Sequence, residues 1–250
     1  MRLLPPYNTK YHISQTFAQN KNDFYKNDGL IGHTGWDFVG VHKSPIIAAI
    51  DSYCYSIANP NNKDLMRYRA VYTLVEDRGI WYEVSYGHLW DILVESATHL
   101  KQGQQIGTQG NTGRCSSNGK EVTVKEKENG SGKGSHLHFQ VRLVKPVDKK
   151  EKGKEYLYGQ HGILKYNNKY FEVPFYKNGV KGCVDPAQFF TLRYGMEGVH
   201  VWELQKRLGI IKDGMFGIKT EQAVKDFQKK KGLVVDGLVG PATLSALTKL

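Results

Sequence analysis

His33-Thr34-Gly35-Trp36-Asp37 and His136-Leu137-His138-Phe139-Gln140-Val141, about a hundred residues apart, each sit in a run that alternates apolar and polar residues. In an extended strand residues two apart share a face, so the first run turns His33, Gly35 and Asp37 one way and Trp36 and Phe38 the other. The second turns His136, His138 and Gln140 outward and Leu137, Phe139 and Val141 into a core. Two strands then offer three imidazoles and a carboxylate. That inventory suits zinc, which takes neutral imidazole nitrogens and carboxylate oxygens in a tetrahedral site and keeps one position open for water when the site is catalytic. The Cα atoms of His136 and His138 lie about 6.6 Å apart in a strand, so either or both can reach one metal.

Outward from these motifs, short apolar runs recur between turns: Ile46–Ile50, Ala70–Val75, Trp81–Tyr86 and Leu137–Val144. Gly and Asn separate many of them, which predicts an antiparallel β domain over residues 1–192. Two polar stretches read as insertions between strands, at about 116–134 and 145–181. The second holds a hairpin signal, since Gly162–Tyr166 and Lys169–Val173 flank an Asn-Asn turn. Its opening, Lys145 to Glu155, mixes both charge signs and reads as a solvated loop.

After residue 195 the period becomes helical. Val201, Leu204 and Leu208 make one apolar stripe, Ala223, Val224 and Phe227 a second, Gly232 is placed to end that helix, and Gly240-Pro241 opens a third. Asp213-Gly-Met-Phe-Gly217-Ile-Lys-Thr220 recurs twenty-three residues later as Asp236-Gly-Leu-Val-Gly240-Pro-Ala-Thr243. A repeat of turn plus helix makes a small bundle over residues 195–250. The fold class is therefore α+β and multidomain, an antiparallel sheet followed by three helices.

At 250 residues and 40% hydrophobic, the chain can bury a sizeable core and still carry a second small domain. No run approaches eighteen apolar residues, which excludes a helical membrane span. Met1–Asn8 carries a basic residue but no long apolar stretch, so it does not read as a secretion signal; the expectation is phage delivery to the wall or secretion with the signal already removed. Residues 195–250 hold nine Lys or Arg against six Asp or Glu, leaving +8 of the formal +11 on the first 194 residues. The excess is spread, not a tail, and favours an anionic partner. No basic and aromatic interleaving of a nucleic-acid module is present. Cys54, Cys115 and Cys183 are odd in number and widely spaced, and read as partly buried free thiols. His12, His42, His99, His161 and His200 match no motif and read as surface or satisfied core.

Two resemblances sharpen this reading. Gly198-Val-His-Val-Trp-Glu-Leu-Gln-Lys-Arg-Leu208, Ala223-Val-Lys-Asp-Phe-Gln228 and the second repeat resemble the type 1 peptidoglycan-binding domain over most of Tyr194–Leu250. His33-Thr-Gly-Trp-Asp37, Tyr86-Gly-His-Leu89, Gly103-Gln-Gln-Ile-Gly107, Gly110-Asn-Thr-Gly113 and His136-Leu-His-Phe139 are similar, in order and spacing, to the lysostaphin-like zinc endopeptidases of the M23 family, from about Tyr11 to Phe190. That resemblance implies one zinc held by His33, Asp37 and His138, with His88 and His136 beside the bound water as catalytic residues. Trp36 stands where the family usually has a smaller aliphatic residue and Gln140 where it often has an acid. These departures, with the insertion after Gly113, bear on substrate preference.

The implied function is zinc-dependent hydrolysis of peptide cross-links in bacterial peptidoglycan, at the cell wall or periplasm, by a monomer that its C-terminal module targets. The layout fits a phage endolysin, with a secreted bacterial hydrolase as the other source. No His-Glu-x-x-His helix supplies a glutamate base, so proton transfer falls to His88 and His136. The alternative is a non-catalytic wall-binding scaffold or activator, which would normally have lost metal ligands. A zinc D-Ala-D-Ala carboxypeptidase would need a longer His-to-Asp spacing. An open groove is expected between the loop after Gly113 and residues Gly29 to Gly32.

Overall fold

The structure, a computed structural model, describes residues 1–19, 30–60, 63–159, 162–173, 182–196 and 199–248. In chain order the strands are β1 (His12–Gln15), β2 (Trp36–Val39), β3 (Pro45–Ile47), β4 (Ser52–Ala58), β5 (Ala70–Asp77), β6 (Ile80–Gly87), β7 (Thr98–Leu100) and β8 (Gln105–Thr108). They continue as β9 (Ser116–Ser117), β10 (Lys120–Glu121), β11 (Leu137–Val147), β12 (Tyr158–Gly159), β13 (Gly162–Ile163), β14 (Lys165–Tyr166), β15 (Lys169–Glu172) and β16 (Cys183–Val184). Helices are α1 (Val124–Glu128), α2 (Val199–Leu208), α3 (Ile218–Lys230) and α4 (Pro241–Thr248).

A large antiparallel sheet runs in the order β1-β2-β11-β6-β5-β4-β7, with β15 and β16 pairing further along β11. Alternation along β11 decides its two faces. Leu137, Phe139 and Val141 join Trp36, Phe38, Val71, Val84 and Tyr86 in one buried core. The opposite face carries His138, Gln140 and Arg142, then reaches Val144 in a second core with Tyr55, Leu74, Leu164, Phe171 and Val173. Residues 145–173 supply much of that second core and cover the far end of the sheet. Lys145 to Val147 extend β11 instead of opening the loop that their charges suggested, because their backbone pairs with Tyr170 to Glu172. The Asn-Asn turn forms, with Asn167 and Asn168 both at left-handed φ (49° and 60°), as a two-residue hairpin requires. Its outer arm is shorter than expected, since Gly162 and Ile163 pair with β12.

Two further expectations change. Ser52–Ala58 forms β4, which no apolar run announced, and its pairing with β5 shifts register between Cys54 and Ser56. His33 does not lie in a strand. The chain bends through residues 31–35 and β2 begins only at Trp36, while the His33 backbone bonds Ala18 and Gln19. The bend lets Gly35 press on β11, where a Cβ would stand 2.2 Å from the Phe139 carbonyl oxygen.

In the helical region Val201, Leu204, Phe216, Val224, Val239 and Leu247 form a third core together with Leu192. The repeat is wider than the two turns first suggested. Gln205 Nε2 donates to Asp213 Oδ1 (2.6 Å), the Met215 carbonyl (3.0 Å) and Thr220 Oγ1 (2.9 Å). Twenty-three residues on, Gln228 Nε2 donates to Asp236 Oδ1 (2.8 Å), the Leu238 carbonyl (2.9 Å) and Thr243 Oγ1 (3.1 Å). Both glutamines are 1% exposed, so each amide locks its turn to the following helix from inside the core. All three cysteines are buried and none forms a disulfide. Among the described residues no helix is long and apolar enough to cross a membrane.

Between the two cores of the sheet, Arg142 clamps Glu83 with Nε and Nη2 contacts of 2.8–3.1 Å, and Tyr55 donates its hydroxyl to the same carboxylate. Glu83 is 1% exposed, so Arg142→Leu strands a charge in the interior. The expected loss is about 3–5 kcal/mol of stability, read by denaturant unfolding, and a Glu83→Gln/Arg142→Met double variant should be markedly milder.

Candidate metal centre

Asp37 on β2 and His138 on β11 are register partners, and Gly87 at the end of β6 is the partner of His138 on its other side. Three chain segments are thus level at one end of the sheet. The bend before Trp36 turns His33 back over Asp37, four residues on. His33 Nε2 lies 2.9 Å from His138 Nδ1 and 3.1 Å from Asp37 Oδ1, and His138 Nδ1 lies 3.0 Å from that same oxygen. The three donors form a nearly equilateral triangle. Tetrahedral zinc with bonds of about 2.0–2.1 Å separates its donor atoms by about 3.3 Å, so a few tenths of an ångström of expansion fits these residues to the ion.

The ring orientations agree with such a site. His33 Nδ1 donates to the Thr16 carbonyl at 3.3 Å, leaving Nε2 for the centre. His138 turns Nε2 outward to Thr34 Oγ1 (3.2 Å) and Gln140 Oε1 (3.4 Å), leaving Nδ1 inward. Outer partners of this kind fix the tautomer a ligand needs. Burial lowers the His33 pKa against the opposing pull of Asp37. Burial also works to raise the Asp37 pKa, but the facing imidazoles of His136, His138 and His33 outweigh it and hold the carboxyl well below its ordinary range. A neutral imidazole and a charged carboxylate are the forms that bind a divalent cation.

His88 and His136 stand beside the triangle with their rings 4.3 Å apart, and His136 Nε2 is 3.8 Å from Asp37 Oδ2. Each has its Nδ1 held by a backbone carbonyl, His88 by Thr112 at 2.6 Å and His136 by Gly134 at 2.9 Å. In both rings Nε2 is left for proton exchange. Burial and the neighbouring His136 keep His88 well below the usual histidine range, so its imidazole is neutral at pH 7. His88 also has a left-handed backbone, φ 61°, a conformation that costs a non-glycine residue about 1 kcal/mol or more and persists only where surroundings enforce it. Gly87 before it leaves room for Tyr68, whose hydroxyl would lie 1.7 Å from a Cβ there.

All five residues expected at the site are therefore brought together. His12 and His99 are exposed elsewhere, and His42 bonds Ser135 Oγ at 3.0 Å. His161, Gly29 and the side chain of His200 lie outside the described residues. Sequence reasoning did not find Thr16, Thr112 and Gly134, because each acts through a carbonyl that every residue has. Nor did it find Thr34, Tyr68, whose ring meets His88 edge-on at 4.8 Å, or Cys115, whose Sγ is 3.4 Å from His88 Nδ1.

Comparison with known proteins agrees with this architecture. Residues 31–154 match the family model of peptidase family M23 and residues 201–247 that of the peptidoglycan binding domain. Among solved structures, the catalytic domain of the antimicrobial peptidase lysostaphin from Staphylococcus simulans is 21% identical, the match covering 53% of this chain and 80% of that one with a TM-score of 0.35. A catalytic-domain mutant of the prophage-encoded M23 protein EnpA from Enterococcus faecalis is 19% identical, with coverage of 56% and 85% and a TM-score of 0.37. A zinc containing peptidase from Vibrio cholerae is 24% identical, with coverage of 57% and 37% and a TM-score of 0.37. No curated protein is a significant match. Residues 31–154 of this chain thus belong to peptidase family M23, and a peptidoglycan-binding domain follows them at residues 201–247.

Proposed function

We propose that this protein is a zinc-dependent endopeptidase that hydrolyses the peptide cross-links of bacterial peptidoglycan, with one zinc per chain on His33, Asp37 and His138. The triangle of three inward-facing donors carries this reading. Its completeness favours an enzyme over a non-catalytic scaffold. When bound, zinc supplies Lewis acidity, polarising the scissile carbonyl and acidifying the attacking water. The proton chemistry belongs to the protein. His88, neutral and fixed through Nδ1, offers Nε2 as an acceptor for a water proton, and His136 presents Nε2 to the developing oxyanion or the leaving amine. Asp37 keeps its negative charge through the cycle, because the imidazoles around it hold the carboxyl in that form.

The peptidoglycan-binding domain raises the effective concentration of the catalytic site on an insoluble mesh. The net charge of +11 adds attraction to anionic wall polymers. We assign the site of action to the cell wall, with phage lysis or secretion as the delivery route and the protein acting as a monomer. Digestion of purified walls of several cross-link types, with mass spectrometry of the new amino termini, tests the reading as a whole; walls that yield none overturn it.

Metal analysis should find one zinc per chain, and His33→Ala, Asp37→Ala or His138→Ala should each remove both the metal and wall lysis. Tight zinc retention by all three variants would contradict the ligand set. His88→Ala and His136→Ala should instead keep the metal while turnover falls by roughly 10² to 10⁴. Loss of zinc from either would make that histidine a ligand.

A third outcome concerns the wall-binding domain. Ile211, Met215, Val234 and Leu238 are large apolar side chains at equivalent repeat positions, and they are 75%, 60%, 79% and 42% exposed. We assign the wall contact to this duplicated surface. Met215→Asp/Leu238→Asp should weaken co-sedimentation with purified peptidoglycan by at least about tenfold, given the transfer energy of two buried apolar side chains. Turnover of a soluble cross-link peptide should not change. Undiminished co-sedimentation would place the contact elsewhere.

A further inference from the structure

The stretch between β9 and His136 has no assigned role, yet it contains a fully buried lysine. Lys127, on α1, is 0% exposed. Burying an ammonium costs several kcal/mol unless its donors are used. Here Nζ donates to the Gly113 carbonyl and, at 3.4 Å, to the Leu65 carbonyl, which also accepts the Gly113 N–H at 2.9 Å. The ammonium therefore ties residue 113 to residue 65. One residue earlier in the chain, the Thr112 carbonyl holds His88 Nδ1, while Thr112 Oγ1 accepts from the Arg69 N–H (3.1 Å) and donates to the Leu89 carbonyl (2.9 Å).

The rest of the stretch is built to hold Lys127 in place. Thr123 and Glu126 form a capping box at the start of α1, and Glu126 also pairs with Lys133. Val122 is fully buried and its N–H bonds the Cys115 carbonyl at 2.9 Å. The Lys133 carbonyl accepts from the buried Asn111 amide at 2.9 Å, one residue before Gly134, whose own carbonyl holds His136. Both imidazoles thus hang from backbone that this stretch braces.

We propose that Lys127 is a positioning residue, which through the Gly113 and Leu65 carbonyls fixes the Thr112 carbonyl and so the tautomer and orientation of His88. The assignment of a catalytic task to His88 rests on the endopeptidase reading above; the positioning itself does not. Loss of the ammonium frees the Gly113 carbonyl and leaves the Thr112–Gly113 peptide with only the Gly113 N–H bond to Leu65, so the acceptor that keeps the left-handed backbone and inward Nε2 of His88 together is loosened.

The test uses the zinc-loaded full chain with Lys127→Met, which keeps the length of the side chain and removes its charge and donors. Imidazole ¹⁵N-correlated NMR should show a protected His88 Nδ1–H in the wild type, assigned by its absence in His88→Ala, and its loss or exchange broadening in K127M. Zinc content should stay at one per chain, KM for a soluble cross-link peptide should change little, and kcat should fall about 10- to 100-fold, the usual consequence of an ångström-scale misplacement. A folded K127M with the His88 signal and kcat both intact overturns the proposal. If K127M does not fold, Thr123→Ala/Glu126→Ala loosens α1 without emptying a buried site, and an unchanged His88 signal there overturns it equally. A wild type that shows the signal but cleaves no cross-link peptide refutes the endopeptidase reading and leaves the positioning intact.

Discussion

The register of β11 between β2 and β6 is the constraint on which the rest of the structure depends. It sets His138 opposite Asp37 on one side and Gly87 on the other, and it sets Phe139 opposite Trp36 and Tyr86 in the row behind. A slip of one residue would send every β11 side chain to the wrong face. The apolar rows forbid that slip, since Leu137, Phe139 and Val141 are all fully buried. The core thus aligns the site, and the site adds little to the alignment.

The polar face of the sheet shows how that arrangement is sustained. From the end that carries the His33–Asp37–His138 cluster it descends through His138, Gln140 and Arg142 before apolar packing resumes at Val144. The layers of His138 and Arg142 are satisfied across the strands: His138 by Asp37, Arg142 by Glu83 and, beyond it, Glu83 by Tyr55. Both layers contain a charge that would be costly alone. The stretch 145–173 closes the far end of this face and leaves the near end to the imidazoles.

Much of this was legible in the sequence. Period two over Leu137–Val141 and period 3.6 beyond residue 200 are strong signals, and the five site residues lie in short motifs whose side-chain types carry the chemistry. Other features were hidden for physical reasons. β4 contains Cys54, Tyr55 and Ser56 all buried in succession across a register shift, which erases the alternation that marks a strand. His33 shares a face with Asp37 by parity but reaches it through a bend, because Gly35 must approach the β11 backbone. Carbonyl acceptors such as Thr112 have no residue-type signature. Lys127 sits in a stretch, Val124-Lys-Glu-Lys-Glu128, that reads only as part of a polar insertion between strands. Gln205 and Gln228 carry no sequence mark of their role, since only the fold shows that a side-chain amide can replace backbone bonding inside each turn.

The helical region is joined to the sheet more closely than a tethered module need be. Leu192 exchanges two backbone hydrogen bonds with Val239 (3.0 and 2.8 Å), so the connecting segment is itself part of the third core. Leu244 packs against both that core and the sheet core. Tyr11, Trp36 and Phe38 line a small cavity of about 40 Å³ with Leu204, Leu244 and Leu247. Trp36 is the residue before Asp37 in β2, and its ring lies on the opposite face of that strand. The side chain usual at this position in the family is smaller, and the larger indole gives the helices an apolar surface to cover. The peptidoglycan-binding domain therefore backs the strand that presents Asp37. In that arrangement the helical region and the His33–Asp37–His138 cluster hold a fixed relative orientation, so under the proposed function avidity depends on whether the mesh presents cross-links at that spacing, not on linker length.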